Sequence, residues 1–255
     1  DITRRLSRVH TTRLVLPRRV SELNDEDSAP GPLTALAERL TPGWRGALID
    51  QGGAGKTIAL LTIGEAVFSR FDEAAAVYVP MAEAATHGSV ISALLQRDAL
   101  IAENISQADL AAQARAGRLT FLLDGWNELS VDERRQARSA IEAFHGEYPD
   151  APLLFATRPY WSTLPTTISA SFALDRITFD DQARFIESVG GVAGLQAHTR
   201  TRDHRPLREL LGIPFFLNLF ARLEWQASDG DLPENSVQLV SRFVEGEFGR
   251  PAYLD

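Results

Sequence analysis

Residues 47–57 read ALIDQGGAGKT: an apolar run from Ala47 to Ile49, a turn containing Gly52, Gly53 and Gly55, then Lys56 and Thr57 opening the helical run Ile58 to Phe68. In a strand, glycine-rich turn and helix joined in this way, backbone N–H groups gather at the helix N-terminus, where the helix dipole favours an anion. The glycines allow close backbone approach, Lys56 adds a compact positive charge and Thr57 a hydroxyl. The spacing is that of a phosphate-cradling loop, G-x-x-x-x-G-K-[ST], with one departure: its first glycine falls on Asp50. Asp50 puts a side chain into a tight turn and a carboxylate toward a polyphosphate. Asp tolerates a left-handed backbone better than most residues, which answers only the first objection. The competing reading is a glycine-rich turn with no ligand.

Composition supports the loop. Of 26 basic residues Lys56 is the one lysine, leaving 25 arginines, so the compact ammonium stands where a flexible point charge must reach phosphate oxygens. A net charge of −8 over 255 residues argues against broad gripping of nucleic-acid backbones, so nucleic acid is not expected as the main partner. The absence of cysteine removes disulfides, thiolate zinc sites and cysteine nucleophiles together, and suits a reducing, cytoplasmic setting. No stretch approaches the roughly 20 apolar residues of a membrane span, so no membrane partner is expected. His10, His87, His145, His198 and His204 have no metal-ligand spacing, and no serine lies in a nucleophile-elbow pattern. The chain opens on Asp1 and closes at Arg250 to Asp255 without a terminating signal, and we expect a fragment of a longer protein.

Outward from the loop, three regions are expected: a lead-in segment and linker over 1–32, a core over 33–175 and a helical module over 176–255. The lead-in has six arginines before position 20, then the loop-like SELNDEDSAPGP; Thr12 to Leu16 could form a short strand or an exposed arm. A short helix is expected at Leu33 to Leu40, stopped by Pro42 and Gly43. Continuous apolar runs at Gly46 to Asp50, Ala76 to Pro80, Leu119 to Asp124, Pro152 to Thr157 and, more weakly, Phe172 to Leu174 read as buried strands. Helical patterns at Thr57 to Arg70, Val90 to Ala102, Gln107 to Ala116 and Asp132 to Tyr148 separate them. Strand alternating with helix specifies an α/β, doubly wound parallel sheet covered on both faces. From Asp180 the pattern is helices alone: Asp180 to Val189, Pro206 to Leu211, Pro214 to Gln226 and Ser236 to Glu247.

Further acids and cations follow the strands. In LTFLLDGWNEL, Leu119 to Leu129, Asp124 closes an apolar strand where a magnesium-holding acid would sit, and Glu128 could orient an attacking water. Equally open is a turn started by Asp124 and Gly125, with Glu128 on a solvated helix start. The strand Ala76 to Pro80, between the two motifs in sequence, fits the class of phosphate-loop proteins that carry a catalytic glutamate. In LLFATRP, Leu153 to Pro159, Arg158 could sense a terminal phosphate or simply end a strand. In GIPFFLNLF, Pro214 could face a ligand or simply occupy the first helical turn, where its fixed φ is favoured.

These motifs together resemble the NACHT family of STAND-class P-loop signalling NTPases, in particular its bacterial members, over about residues 40 to 255. LLDGWNEL is close to that family's LLDGLDEL, ATRP to its TSRP-like sensor, and GIPFFLNL to its adenine-contacting proline segment. The resemblance implies a P-loop NTPase core that binds ATP or ADP with Mg2+. It assigns phosphate binding to Lys56 and Thr57, magnesium to Thr57 and Asp124, catalysis to Lys56, Glu128 and Arg158, and adenine contact to Pro214. The nucleotide-binding set is then Gly52, Gly53, Ala54, Gly55, Lys56, Thr57, Ile58 and Pro214. It further implies a switch in which exchange of ADP for ATP permits self-association and activation of an effector, with effector and sensor domains outside this chain. Asn127 stands where the family has an aspartate, and with Asp50 it is the second departure that falls on catalytic geometry. Two other readings stay open: a remodelling ATPase of the AAA+ type, and a non-hydrolysing scaffold with a degenerate loop.

Overall fold

The computed structural model describes residue 6 and residues 18–23, 29–159, 164–225 and 232–248. The possible strand at Thr12 to Leu16 lies outside them. In chain order the elements are β1 (Arg19–Glu22), β2 (Gly31–Pro32), β3 (Arg45–Ile49), α1 (Lys56–Arg70), β4 (Ala75–Pro80), α2 (Met81–His87), α3 (Val90–Leu95), α4 (Asp98–Ala102), α5 (Gln107–Arg115), β5 (Leu119–Asp124), α6 (Val131–Glu147), β6 (Leu153–Thr157) and β7 (Ala170–Leu174), then α7 (Phe179–Arg200), α8 (Arg205–Leu211), α9 (Pro214–Arg222) and α10 (Ser236–Phe248). They form two units. One covers 18–52 and 56–175; the other runs from residue 176 onward and includes Gly53–Gly55.

The first unit is an α/β core built on one mostly parallel sheet. Its seven-stranded sheet has the order β2-β1-β7-β3-β6-β5-β4. From β7 to β4 all neighbours are parallel, while β1 pairs antiparallel with both β7 and β2. The lead-in thus contributes a two-strand antiparallel edge that its half-exposed, charged sequence does not announce. Alternate strand residues serve opposite faces. Leu119, Phe121 and Leu123 of β5 join Val77 and Val79 of β4, Leu153 and Phe155 of β6, and Ile141 and Phe144 of α6 in one buried cluster. Helix α1 packs on the other face, against β4, β5 and β6. β6, not β4, lies between the loop strand β3 and the Asp124 strand β5; β4 is at the sheet edge. The strand inserted in space therefore comes from LLFAT.

Helix ends follow their caps. Ser106 with Asp109 and Ser130 with Glu133 form capping boxes at α5 and α6, each hydroxyl accepting from the third helical N–H. The single helix expected over Val90 to Ala102 is instead α3 and α4, broken at Gln96 and Arg97. Leu33–Arg39 winds as a 3-10 helix rather than an α-helix. Helix α2, following directly on Pro80, was not anticipated.

The second unit is helical. α7 continues well past the expected Val189, to Arg200, through a non-helical kink at Gly191. Its centre is a buried polar network. Gln182 donates through Nε2 to the carbonyls of Ile177 (2.9 Å) and Arg208 (3.5 Å), so its Oε1 accepts from His198 Nε2 at 3.0 Å. His198 stacks on Phe179 with ring centroids 4.3 Å apart, and the Arg202 guanidinium lies over that phenylalanine ring. Burial, with Arg202 second, pushes the His198 imidazole down to about 4. No helix among the described residues is long and apolar enough to cross a membrane.

Candidate functional site

Parallel pairing brings the carboxyl ends of β3, β6 and β5 to one edge of the first unit, the edge where open α/β sheets bind ligands. From β3 the chain enters the loop at Asp50. Its backbone is not left-handed: among the described residues only Asn104 has positive φ without being glycine. The anticipated need for a left-handed Asp therefore does not arise. The Asp50 carboxylate is also committed elsewhere, Oδ1 accepting from the Gln51 N–H at 2.7 Å and Oδ2 from the Leu174 N–H at 3.2 Å. It ties the loop entrance to the end of β7.

We therefore expect Asp50→Gly to cost about 1–2 kcal/mol of stability, the usual penalty for leaving part-buried donors unpaired, without improving nucleotide affinity. Thermal unfolding and calorimetric titration with ADP check both halves. A tenfold gain in affinity would mean that the carboxylate obstructs phosphate.

Lys56 opens α1, and its ammonium donates to the carbonyl oxygens of Asp50 and Gln51, each at 2.7 Å. Burial lowers its proton affinity, the Asp50 charge opposes this, and Arg158 adds to the lowering. Arg158, after the last residue of β6, lies against the loop: a Cβ on Gly52 would sit 3.5 Å from the Arg158 Cζ. Thr57 donates its hydroxyl to Asp124 Oδ2 at 2.5 Å. Asp124 Oδ1 accepts from the Gly125 N–H at 2.8 Å. Glu128 is exposed on the 3-10 turn Trp126–Glu128, which is anchored by the fully buried Trp126. Ile58 is largely exposed at the start of α1.

Lys56, Thr57, Asp124, Glu128 and Arg158 thus gather at one sheet edge of the first unit. Gly53, Ala54, Gly55 and Pro214 belong to the second. There Gly53 and Gly55 have φ of +78° and +86°, and a Cβ on Gly53 would approach Phe215 Cβ to 2.9 Å. Both conformation and space require glycine at 53. Pro214 opens α9, and the next residue, Phe215, donates its N–H to the Gly53 carbonyl at 3.2 Å.

One participant is not apparent in the sequence. Tyr78, in the middle of β4, donates its hydroxyl to Asp124 Oδ2 at 3.0 Å. A cavity of about 180 Å³ opens here, lined in part by Thr57, Tyr78, Asp124, Glu128 and Glu133. Among the described residues no three His, Asp or Glu side chains cluster as a metal site. A hydroxyl and a carboxylate side by side are nonetheless a donor set suited to magnesium, which usually takes one or two protein oxygens and completes its shell with water and phosphate.

No protein-family model matches this sequence, and no curated protein matches it. Among solved structures it is similar to that of C. elegans PCH-2, with 10% identity over 84% of this chain and a TM-score of 0.40. The match spans 65% of the PCH-2 chain, less than two thirds of its length. At that TM-score the likeness decides nothing about the site.

Proposed function

We propose that this chain is the nucleotide-binding domain of a STAND-class signalling switch of the NACHT kind, binding ATP or ADP with Mg2+ and hydrolysing ATP slowly. The observation that carries the reading is the convergence of Lys56, Thr57, Asp124 and Arg158 on one sheet edge, beside a loop whose only lysine is Lys56. LLDGWNEL, ATRP and GIPFFLNL support the choice of family. Self-association on activation, effector and sensor domains outside this chain, and a cytoplasmic setting belong to the same proposal.

Each residue has a distinct task. The Lys56 ammonium exchanges loop carbonyls for phosphate oxygens, and Arg158 brings a guanidinium to the same anion. Thr57 and Asp124 would hold the magnesium ion. When bound, that ion supplies Lewis-acid charge to the phosphates. Glu128 is free to accept a proton from an attacking water.

Glu128→Gln is expected to slow phosphate release about 100-fold while leaving ADP affinity within about twofold. Single-turnover measurement of phosphate release checks this. An unchanged rate would return Glu128 to a solvated turn residue, and fast multiple turnover by the wild-type chain would favour a remodelling ATPase.

A further inference from the structure

The Tyr78 hydroxyl reaches Asp124 across 46 residues of sequence but from the adjacent strand in space. Parallel pairing of β4 and β5 sets Tyr78 opposite Leu122 and Pro80 opposite Asp124, so the phenol leans along the strand toward the acid. Asp124 Oδ2 then accepts from both Thr57 and Tyr78, and Oδ1 from the Gly125 backbone. A carboxylate held by three donors has little freedom to rotate.

Tyr78 is itself fixed. The Arg97 guanidinium lies over its ring, 5.8 Å from the centroid, and Arg97 Nη1 donates to the Tyr78 carbonyl at 2.6 Å. Arg97 Nε and Nη2 both donate to Glu83 Oε2, at 3.2 and 2.9 Å. Glu83 belongs to α2 and Arg97 to the break between α3 and α4, so this fork gives that break a task. Burial, then the charge and hydrogen bond of Asp124, hold the phenol well above its usual value, and it stays a donor throughout the physiological range.

We infer that Tyr78, braced by Arg97 and Glu83, is a positioning residue that orients the Asp124 carboxylate beside the Thr57 hydroxyl and so sets the affinity of this site for magnesium ion. The inference rests on the reading of the chain as a magnesium-nucleotide-binding domain. A hydrogen-bond partner of this kind orients a ligating group without touching the metal, and its loss usually weakens metal binding about 10- to 100-fold. Tyr78→Phe keeps the ring, its burial and the Arg97 contact while removing one donor to Oδ2.

The test is ADP affinity of the 255-residue chain, measured by calorimetry across a magnesium chloride series and in EDTA. For Tyr78→Phe we expect the magnesium concentration at half-effect to rise about tenfold, with affinity in EDTA unchanged. An unchanged magnesium dependence overturns the inference. So does an equal loss with and without magnesium, because Tyr78 would then serve packing alone. Arg97→Lys keeps the cation but loses the fork, and should move the half-effect the same way by about twofold. If Tyr78→Phe fails to fold, this second variant decides, a wild-type value overturning the inference. A wild-type chain that binds no ADP in any condition would overturn the functional reading itself. A wild-type chain that binds while both variants match it overturns only the role of Tyr78.

Discussion

Lys56→Ala is expected to lower nucleotide affinity about 1,000-fold, equivalent to roughly 4 kcal/mol, and to leave the fold intact. The size follows from where the ammonium sits. It is partly buried against loop carbonyls, beside Asp50 and Arg158, so water contributes little to screening its attraction for a polyphosphate. No arginine replaces it, since the other nearby cation, Arg158, reaches the loop at Gly52 from β6. The folded state loses little, because the Asp50 and Gln51 carbonyls freed by the substitution can turn to solvent at the loop. Calorimetric titration with ADP reads the loss of affinity and circular dichroism the retained fold. An affinity within threefold of wild type would place phosphate binding elsewhere.

The second large effect is acid lability of the helical unit. The His198 side chain is fully buried, stacked on Phe179 and bonded through Nε2 to Gln182, and its Nδ1 is buried without a hydrogen-bond partner. Protonation would place a charge at that unpartnered nitrogen. The folded value of about 4 lies below the ordinary 6.5, so the unfolded chain binds the proton more readily. Stability from this group is therefore complete above about pH 6.5 and falls as pH drops toward 4, by about 3 kcal/mol across that window. Urea unfolding followed through the window, compared with His198→Gln, isolates the effect. The glutamine keeps a donor for Gln182 and does not titrate, so its slope with pH should be shallower by that amount. Equal slopes would mean that the imidazole reaches water before unfolding.

The loop, the Asp124 strand and the alternation of strand and helix were legible because each is local. Three glycines, a lysine and a threonine lie within a few residues, and the apolar run of β5 stops at Asp124 as the strand does. Strand β1, RVSE, has no apolar run to reveal it; its hydrogen bonds to β2 and β7 make it a strand. Helix α2, MAEAATH, is alanine-rich and follows Pro80 without a polar cap, so sequence periodicity has little to register. The Val90 to Ala102 pattern reads as one helix because apolar spacing continues across Gln96 and Arg97; contacts of Arg97 with Glu83 and Tyr78 accompany the break.

In the site, what remained hidden depends on distance along the chain. The carboxylate of Asp50 looked like an obstacle because its partner, the Leu174 N–H, is 124 residues away. Tyr78 looked like one apolar strand residue among others; its link to Asp124 spans 46 residues and exists only because β4 and β5 share a register. The position of β6 between β3 and β5 likewise follows from sheet topology, which the order of motifs along the chain does not reveal.

Whether this chain holds an adenine nucleotide is read out by mass spectrometry of whatever is released on denaturing the purified protein. ADP or ATP in near-stoichiometric amount is expected from wild type, with a large depletion from Lys56→Ala. A wild-type chain that releases no nucleotide, and takes up neither ADP nor ATP with magnesium in calorimetry, would contradict it.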